Sequence, residues 1–598
     1  MKEFRERALV SAPDTGSLAS FLVESEKAAP NDSAFSVAQP DGSWRDMSYR
    51  EFGDQVRKLA RGIAANGVGV GDRVGIMSKT RFEWTLTDFA LWYAGAVPVP
   101  IYETSSAEQV EWILSDSGAV GVFLEGDEVL PTYEEAKKKL PGVKNVWVFD
   151  NGDIEALKEQ ADKVSEDELE KRRESVKPED LATIIYTSGT TGRPKGCSLT
   201  HSNFMFEVDA VVAGLPEMFK GGNSTLLFIP LAHVFGRAIE VASVRARVRM
   251  GHTSDVKNLS DWLGSFQPTF LLSVPRVFET VFNKAQAAAA ADGKEGIFNK
   301  AADTAIEYSR AQDSGGAGLV LKVKHAVFDK LVYSKLRARL GGKVTHAISG
   351  GAALGERLGH FYRGIGITVQ EGYGLTETSA ASTVNRVSQF KIGTVGRPLP
   401  GTSVKIADDG EVLLKGPQVF PGYWNNKKAT KEVLAQDGWF HTGDIGALDE
   451  DGFLRITGRK KELIVTAGGK NVAPAVLEDR LRANAIVSQC MVVGDAKPFI
   501  ACLVTLDLES LPIWLENKGK SADMPIAQAV KDPDVLAEVQ TAVDNANKAV
   551  SKAESIRKFT IIADDWSVEG GQLTPSMKMK RNVVMAENAE DVEALYAK

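Results

Sequence analysis

The residues Tyr186-Thr187-Ser188-Gly189-Thr190-Thr191-Gly192-Arg193-Pro194-Lys195-Gly196 gather hydroxyls, glycines and one fixed cation directly behind the apolar run Leu181 to Ile185. This chemistry suits a phosphate. Gly189 and Gly192 allow backbone N–H groups to turn toward an anion, and the hydroxyls of Thr187, Ser188, Thr190 and Thr191 donate hydrogen bonds. Lys195 sets a full positive charge against the charge that develops in phosphoryl chemistry. The P-loop of nucleotide hydrolases needs Gly, four residues, then Gly-Lys-Ser/Thr. Here Lys195 follows Arg193-Pro194 and precedes Gly196, so that motif is absent.

A second group of residues reads as a flat, stacking surface. Ser349-Gly350-Gly351-Ala352-Ala353 closes one predicted strand, and Val369-Gln370-Glu371-Gly372-Tyr373-Gly374-Leu375-Thr376-Glu377-Thr378 follows another. Glycine at strand ends lets the backbone lie along a flat ring, and Tyr373 offers a face for stacking. Glu377, with Thr376 beside it, is a hard oxygen ligand suited to Mg²⁺ bridging phosphates. Phe228 to Gly236 reads as an apolar strand running into a loop with a single histidine, His233. Gly438 to Asp444 puts a carboxylate just past a tight turn, and residues 452–458 read as a short strand ending at Arg459.

Taken together, these stretches resemble the adenylate-forming superfamily of acyl-CoA synthetases, peptide-synthetase adenylation domains and luciferases, over about residues 20 to 590. The resemblance implies that Thr187 to Gly192 and Lys195 hold the phosphates of ATP, that Gly351, Ala352 and Glu371 to Gly374 hold adenine, and that Glu377, Thr187 and Thr376 serve Mg²⁺ and the phosphates. It gives Asp444 the ribose hydroxyls, Arg459 the ribose and phosphate, and His233 a place beside the carboxylate and acyl pocket. Lys461 resembles the hinge about which a second domain rotates, and Gly469 the loop that admits the pantetheine arm of CoA. Leu573 to Arg581 resembles the last motif of the superfamily, whose lysine falls here on Lys578, with Met577 where a glycine is usual.

Elements must hold these groups, and the sequence patterns supply them. Phe52, Val56, Leu59 and Ile63 recur at helical spacing, followed by a strand pattern at Val74 to Met77. The alternation continues through Phe82 to Tyr93, Val97 to Ile101, Gln109 to Leu114 and Val120 to Leu124, which predicts layered α/β units that bind ligands beyond the carboxyl ends of their strands. The Ser/Thr/Gly run is expected between the strand ending near Ile185 and a helix N-capped around Thr200 to Asn203. Glu134 to Lys139 and Glu166 to Glu174 read as solvated helices without chemistry. An alanine-rich run at 285–291, Asp303 to Arg310 and Leu319 to Arg339 read as two or three inserted helices, an insertion that resembles the long-chain fatty acyl-CoA synthetase branch. The expected fold class is α/β: a large N-terminal domain of several α/β layers over 1–460 and a small mobile α+β domain over 461–598.

Composition bounds the partners. With 598 residues the chain is too long for one compact core. Hydrophobic residues at 43% and charged residues at 25% are ordinary for a folded globular protein. A net charge of −8 gives no basic surplus for nucleic acid. Cys197, Cys490 and Cys502 fit neither a disulfide framework nor a zinc spacing and read as reduced thiols, with no base evident beside Cys197 to make it a nucleophile. The charged start and the lack of a long apolar run predict a cytoplasmic protein, at most peripheral to a membrane.

The activity that this resemblance implies is AMP-forming ligation of a fatty acid to CoA, with ATP, Mg²⁺ and CoA, in two steps through an acyl-adenylate. Transfer to a separate carrier protein and use of an aromatic or sterol-like carboxylate stay open at this stage, as do acyl chain length and oligomeric state.

Overall fold

The structure is a computed structural model that describes residues 1–187, 193–574 and 577–597. The predicted helix around Phe52 spans Tyr49–Ala65. Its four spaced apolar residues are fully buried, and Ser48 and Glu51 form a capping box that satisfies its first N–H groups. The neighbouring strands Val97–Ile101, Arg73–Met77, Gly121–Leu124 and Asn145–Val148 pair in that order, all parallel, and their near-continuous apolar sequence follows from burial on both faces. A second sheet joins Ser224–Leu227, Arg249–His252, Ser33–Ala38 and Trp44–Ser48. A third joins Phe270–Ser273, His346–Ser349 and Thr368–Leu375 in parallel, then Ala380–Val384 and Arg397–Pro398 antiparallel. An antiparallel sheet of Glu3–Arg5, Ser403–Ile406, Glu411–Lys415, Phe440–Leu448 and Leu454–Arg459 completes the large domain.

The small domain has its own core. Strands Val487–Val493, Ile500–Leu506 and Ile556–Ile562 carry helices Pro474–Arg482 and Pro533–Asn547, which bury Leu477, Leu481, Val492, Val504, Val535 and Val539 among themselves. Burying each such side chain contributes about 1.5–3 kcal/mol relative to exposure. The expected α/β class, with a large N-terminal and a smaller C-terminal α+β domain, is the architecture found.

Three local expectations need correction. The Ser/Thr/Gly run does not lead from a strand into a helix. It joins the antiparallel strands Leu181–Thr187 and Lys195–Thr200, and only then does helix His201–Gly214 begin. Its second strand alternates as a strand should, burying Cys197 and Leu199 and pairing on its far side with Gly422–Tyr423. The strand expected at Phe228 stops at Leu227, and Pro230 lies in the connection to helix Val234–Ala246, where His233 is the N-cap. Finally, Gly372, Tyr373 and Gly374 belong to strand Thr368–Leu375 instead of following one.

Candidate active site

Strand Leu181–Thr187 is anchored from below. Arg237, on the helix capped by His233, donates to Thr183 at 2.7 Å and grips Asp88 through contacts of 2.6 to 3.1 Å. The pair is fully buried between the rings of Trp84 and Trp92, so three elements are locked in one register. Breaking such a pair by removing one partner costs about 3–5 kcal/mol, which is what makes it a positioning device. At the top of the strand Thr187 pairs across the hairpin with Lys195. Ser188, Gly189, Thr190, Thr191 and Gly192 lie outside the described residues, as do Pro575 and Ser576 of the last motif.

Lys195 places its amine 5.1 Å from the centre of the Tyr423 ring, and the Tyr423 hydroxyl donates to Glu377 at 2.7 Å. One tyrosine therefore links the hairpin cation to the candidate metal carboxylate. Glu377 sits in a single helical turn, Thr376–Thr378, at the end of strand Thr368–Leu375. Among the described residues no group of three or more His, Cys, Asp or Glu could hold a metal ion. A lone carboxylate fits Mg²⁺ all the same, because Mg²⁺ keeps water and substrate phosphates as most of its ligands.

The candidate nucleotide face lies along the same strand. Gly374 runs so close to the neighbouring strand that an added Cβ would lie 1.6 Å from the Ala380 carbonyl oxygen, so no side chain fits there. Tyr373 donates its hydroxyl to Asp444 Oδ2 at 2.6 Å, and Arg459 Nε holds Asp444 Oδ1 at 3.1 Å. Asp444 and Arg459 are direct partners in the pairing of strands Phe440–Leu448 and Leu454–Arg459. Glu371 is buried and accepts the Leu354 N–H at 2.9 Å; burial pushes its carboxyl up to about 7. Gly351 and Ala352 lie exposed on the turn after strand His346–Ser349.

From the small domain, Lys578 stands close enough to Arg459, Asp444, Glu377 and Glu462 to feel their charges. Its side chain is open to solvent by area, yet protein atoms crowd its amine. That crowding, with the Arg459 guanidinium, pulls its pKa below the ordinary lysine value, while Asp444, Glu377 and Glu462 pull it back up. Burial, and then Lys578 itself, hold His233 down at about 4, and His233 Nδ1 accepts the Phe235 N–H at 3.1 Å. The preceding Met577 has φ +61°, the left-handed region that a glycine would occupy without strain. Arg276 to Asp507 at 2.5 Å and Lys284 to Glu509 at 3.3 Å tie the two domains together elsewhere. Lys461 is exposed on the turn Lys460–Glu462 between the domains, and Gly469, at φ +76°, lies in an exposed turn of the small domain.

The large part of the chain, residues 22–424, matches the family of AMP-binding enzymes, and residues 461–598 match the AMP-binding enzyme C-terminal domain. The chain belongs to the AMP-binding enzyme family. Its relatives within the family include the long-chain-fatty-acid–CoA ligase FadD15 of Mycobacterium bovis, 51% identical over the full length of both chains, and the same-named ligase of Mycobacterium tuberculosis, 50% identical over the full length of both. AMP-binding enzymes of known structure share the fold. The anthranilate CoA ligase AuaEII in complex with anthranoyl-AMP matches with a TM-score of 0.72 at 18% identity, covering 97% of this chain and 99% of that one. O-succinylbenzoate coenzyme A synthetase from Bacillus subtilis, in complex with ATP and magnesium ion, matches with a TM-score of 0.67 at 20% identity, covering 94% and 98%.

Two residues of the candidate cleft were missed from sequence. Tyr423 gave only a weak signal, two adjacent aromatics after Pro421-Gly422. Glu462, which acts electrostatically on both Lys578 and Arg459, looked like one more charge in a basic linker.

Proposed function

We propose that this chain is an AMP-forming long-chain fatty acid–CoA ligase whose single cleft serves both half-reactions. The observation that carries the reading is the Lys578 amine of the small domain standing in the field of Asp444, Glu377 and Arg459 of the large domain. Full-length similarity to ligases named for long-chain fatty acids supports the substrate class. In the first step the fatty carboxylate attacks the α-phosphate of ATP in line and pyrophosphate leaves, with Lys578 and Lys195 stabilising the negative charge from opposite sides. Thr187 and Glu377 would hold Mg²⁺, which would supply positive charge against the phosphates. Tyr423 orients Glu377 for that task.

Tyr373 and Gly351 to Ala352 flank adenine, and Asp444 takes the ribose hydroxyls. His233 stays neutral near pH 7, so it positions the acyl carboxylate without trapping it as an ion pair. The small domain, from residue 461 on, then turns about Lys461, withdraws Lys578 and brings Gly469 with the CoA thiol to the acyl-adenylate, where the thiolate displaces AMP. A substrate that partitions into bilayers suits a protein that touches lipid at its surface.

A panel of carboxylic acids of graded chain length, scored for pyrophosphate exchange and for CoA-dependent AMP release, tests this. Activity rising toward long chains and requiring free CoA is expected. Exchange confined to aromatic acids, or acyl-adenylate that CoA does not discharge, overturns it.

A further inference from the structure

The segment Leu319–Phe328, with the wide helical turn Asp329–Tyr333 that follows, presents the most exposed apolar surface among the described residues. Leu319 is 82% exposed, Val320 72%, Val323 60%, Val327 52% and Leu331 53%. Leu319, Val323, Val327 and Leu331 recur every fourth residue, so they form one stripe along the helix. No residue of Leu319–Phe328 is fully buried. The inward side is nevertheless fixed: His325 stacks on Tyr308 at 3.9 Å between ring centres and its Nε2 lies 2.6 Å from the Gly364 carbonyl, while Arg337 holds Ile365 O at 2.8 Å. The stripe is thus held outward by specific contacts and is not a frayed end.

Charge identifies what covers it. In a chain of net charge −8, residues 319–340 carry Lys322, Lys324, Lys330, Lys335, Arg337 and Arg339 against a single acid, Asp329. Asp329 is already engaged by Arg337 at 2.6 Å, and the four lysines are exposed. A second copy of this face would set cation against cation, whereas an anionic bilayer offers hydrocarbon to the stripe and phosphate to the lysines. We infer that residues 319–335 form a docking helix that lies in the surface of an anionic lipid bilayer. Its apolar stripe enters the acyl boundary and its lysines reach the headgroups.

The test is co-sedimentation of the full-length protein with vesicles of phosphatidylcholine alone or with about one quarter phosphatidylglycerol. Binding is expected to the phosphatidylglycerol vesicles and to fall severalfold with salt. The double variant Val323→Asp/Val327→Asp is expected to reduce it tenfold or more. Lys324→Gln and Lys330→Gln are each expected to reduce it about fivefold. Melting temperature and ATP-dependent activation of a water-soluble acid stay unchanged in all of these, because the altered side chains are exposed and stand outside the cleft. Equal partition onto both vesicle types, or undiminished binding by the variants, overturns the inference. So does a wild-type dimer in light scattering that Val323→Asp converts to monomer, which would make the stripe a contact between copies.

Discussion

The hydroxyl of Tyr373 donates to Asp444 across 2.6 Å, although the two residues are 71 positions apart in the chain. The ring proposed to stack on adenine is thereby oriented by the carboxylate proposed to take the ribose, and Arg459 fixes the other oxygen of that carboxylate. A hydrogen bond to a charged group is worth about 1.5–3 kcal/mol. Tyr373→Phe keeps the ring and loses the lock, so KM for ATP should rise about tenfold with kcat nearly unchanged. Steady-state kinetics that leave the KM for ATP untouched would make the bond a bystander.

Met577 holds a left-handed backbone conformation beside the proposed catalytic lysine, and its side chain is 61% exposed. Relief of strain of about 1–2 kcal/mol competes with the extra freedom that glycine gives the unfolded chain. Met577→Gly should therefore unfold at equal or higher urea concentration and keep full adenylation. Met577→Val, branched where φ is positive, should lose about 1 kcal/mol or more and slow adenylation. Identical urea midpoints for the two variants would contradict the strain.

Much of this was legible because the chemistry is local. Helix Phe82–Tyr93 and strand Val97–Ile101 appear with the bounds their patterns gave, since each apolar run is long and clearly punctuated. The pairing of Lys195–Thr200 was not legible, because six residues that open with Lys-Gly read as loop until a partner strand is present. Tyr423 was missed for a related reason. Its value lies in touching Lys195 and Glu377 at once, and neither is near it in sequence. The role of His233 as a helix cap depends on where strand Ser224–Leu227 stops, which the apolar run through Ile229 conceals.

Glu371 makes the site's pH dependence visible. Burial raises its carboxyl from an ordinary value near 4.5 to about 7, so the folded protein holds the proton more tightly than the unfolded chain. Its contribution to stability is therefore full below about pH 4.5 and is lost as pH rises through 7. Relative to Glu371→Gln, wild-type stability should fall by roughly 3 kcal/mol between those limits. Chemical denaturation of both proteins at a series of pH values measures this difference, and a flat difference would mean that burial does not shift the Glu371 carboxyl.

The central claim is that one cleft receives cations from both domains for the first half-reaction only. Lys578→Ala separates the halves when acyl-adenylate formation from fatty acid and ATP, and thioester formation from supplied acyl-adenylate and CoA, are timed in single turnover. The account predicts a loss of several orders of magnitude in the first and little change in the second. An equal loss in both half-reactions, or none in the first, would contradict it.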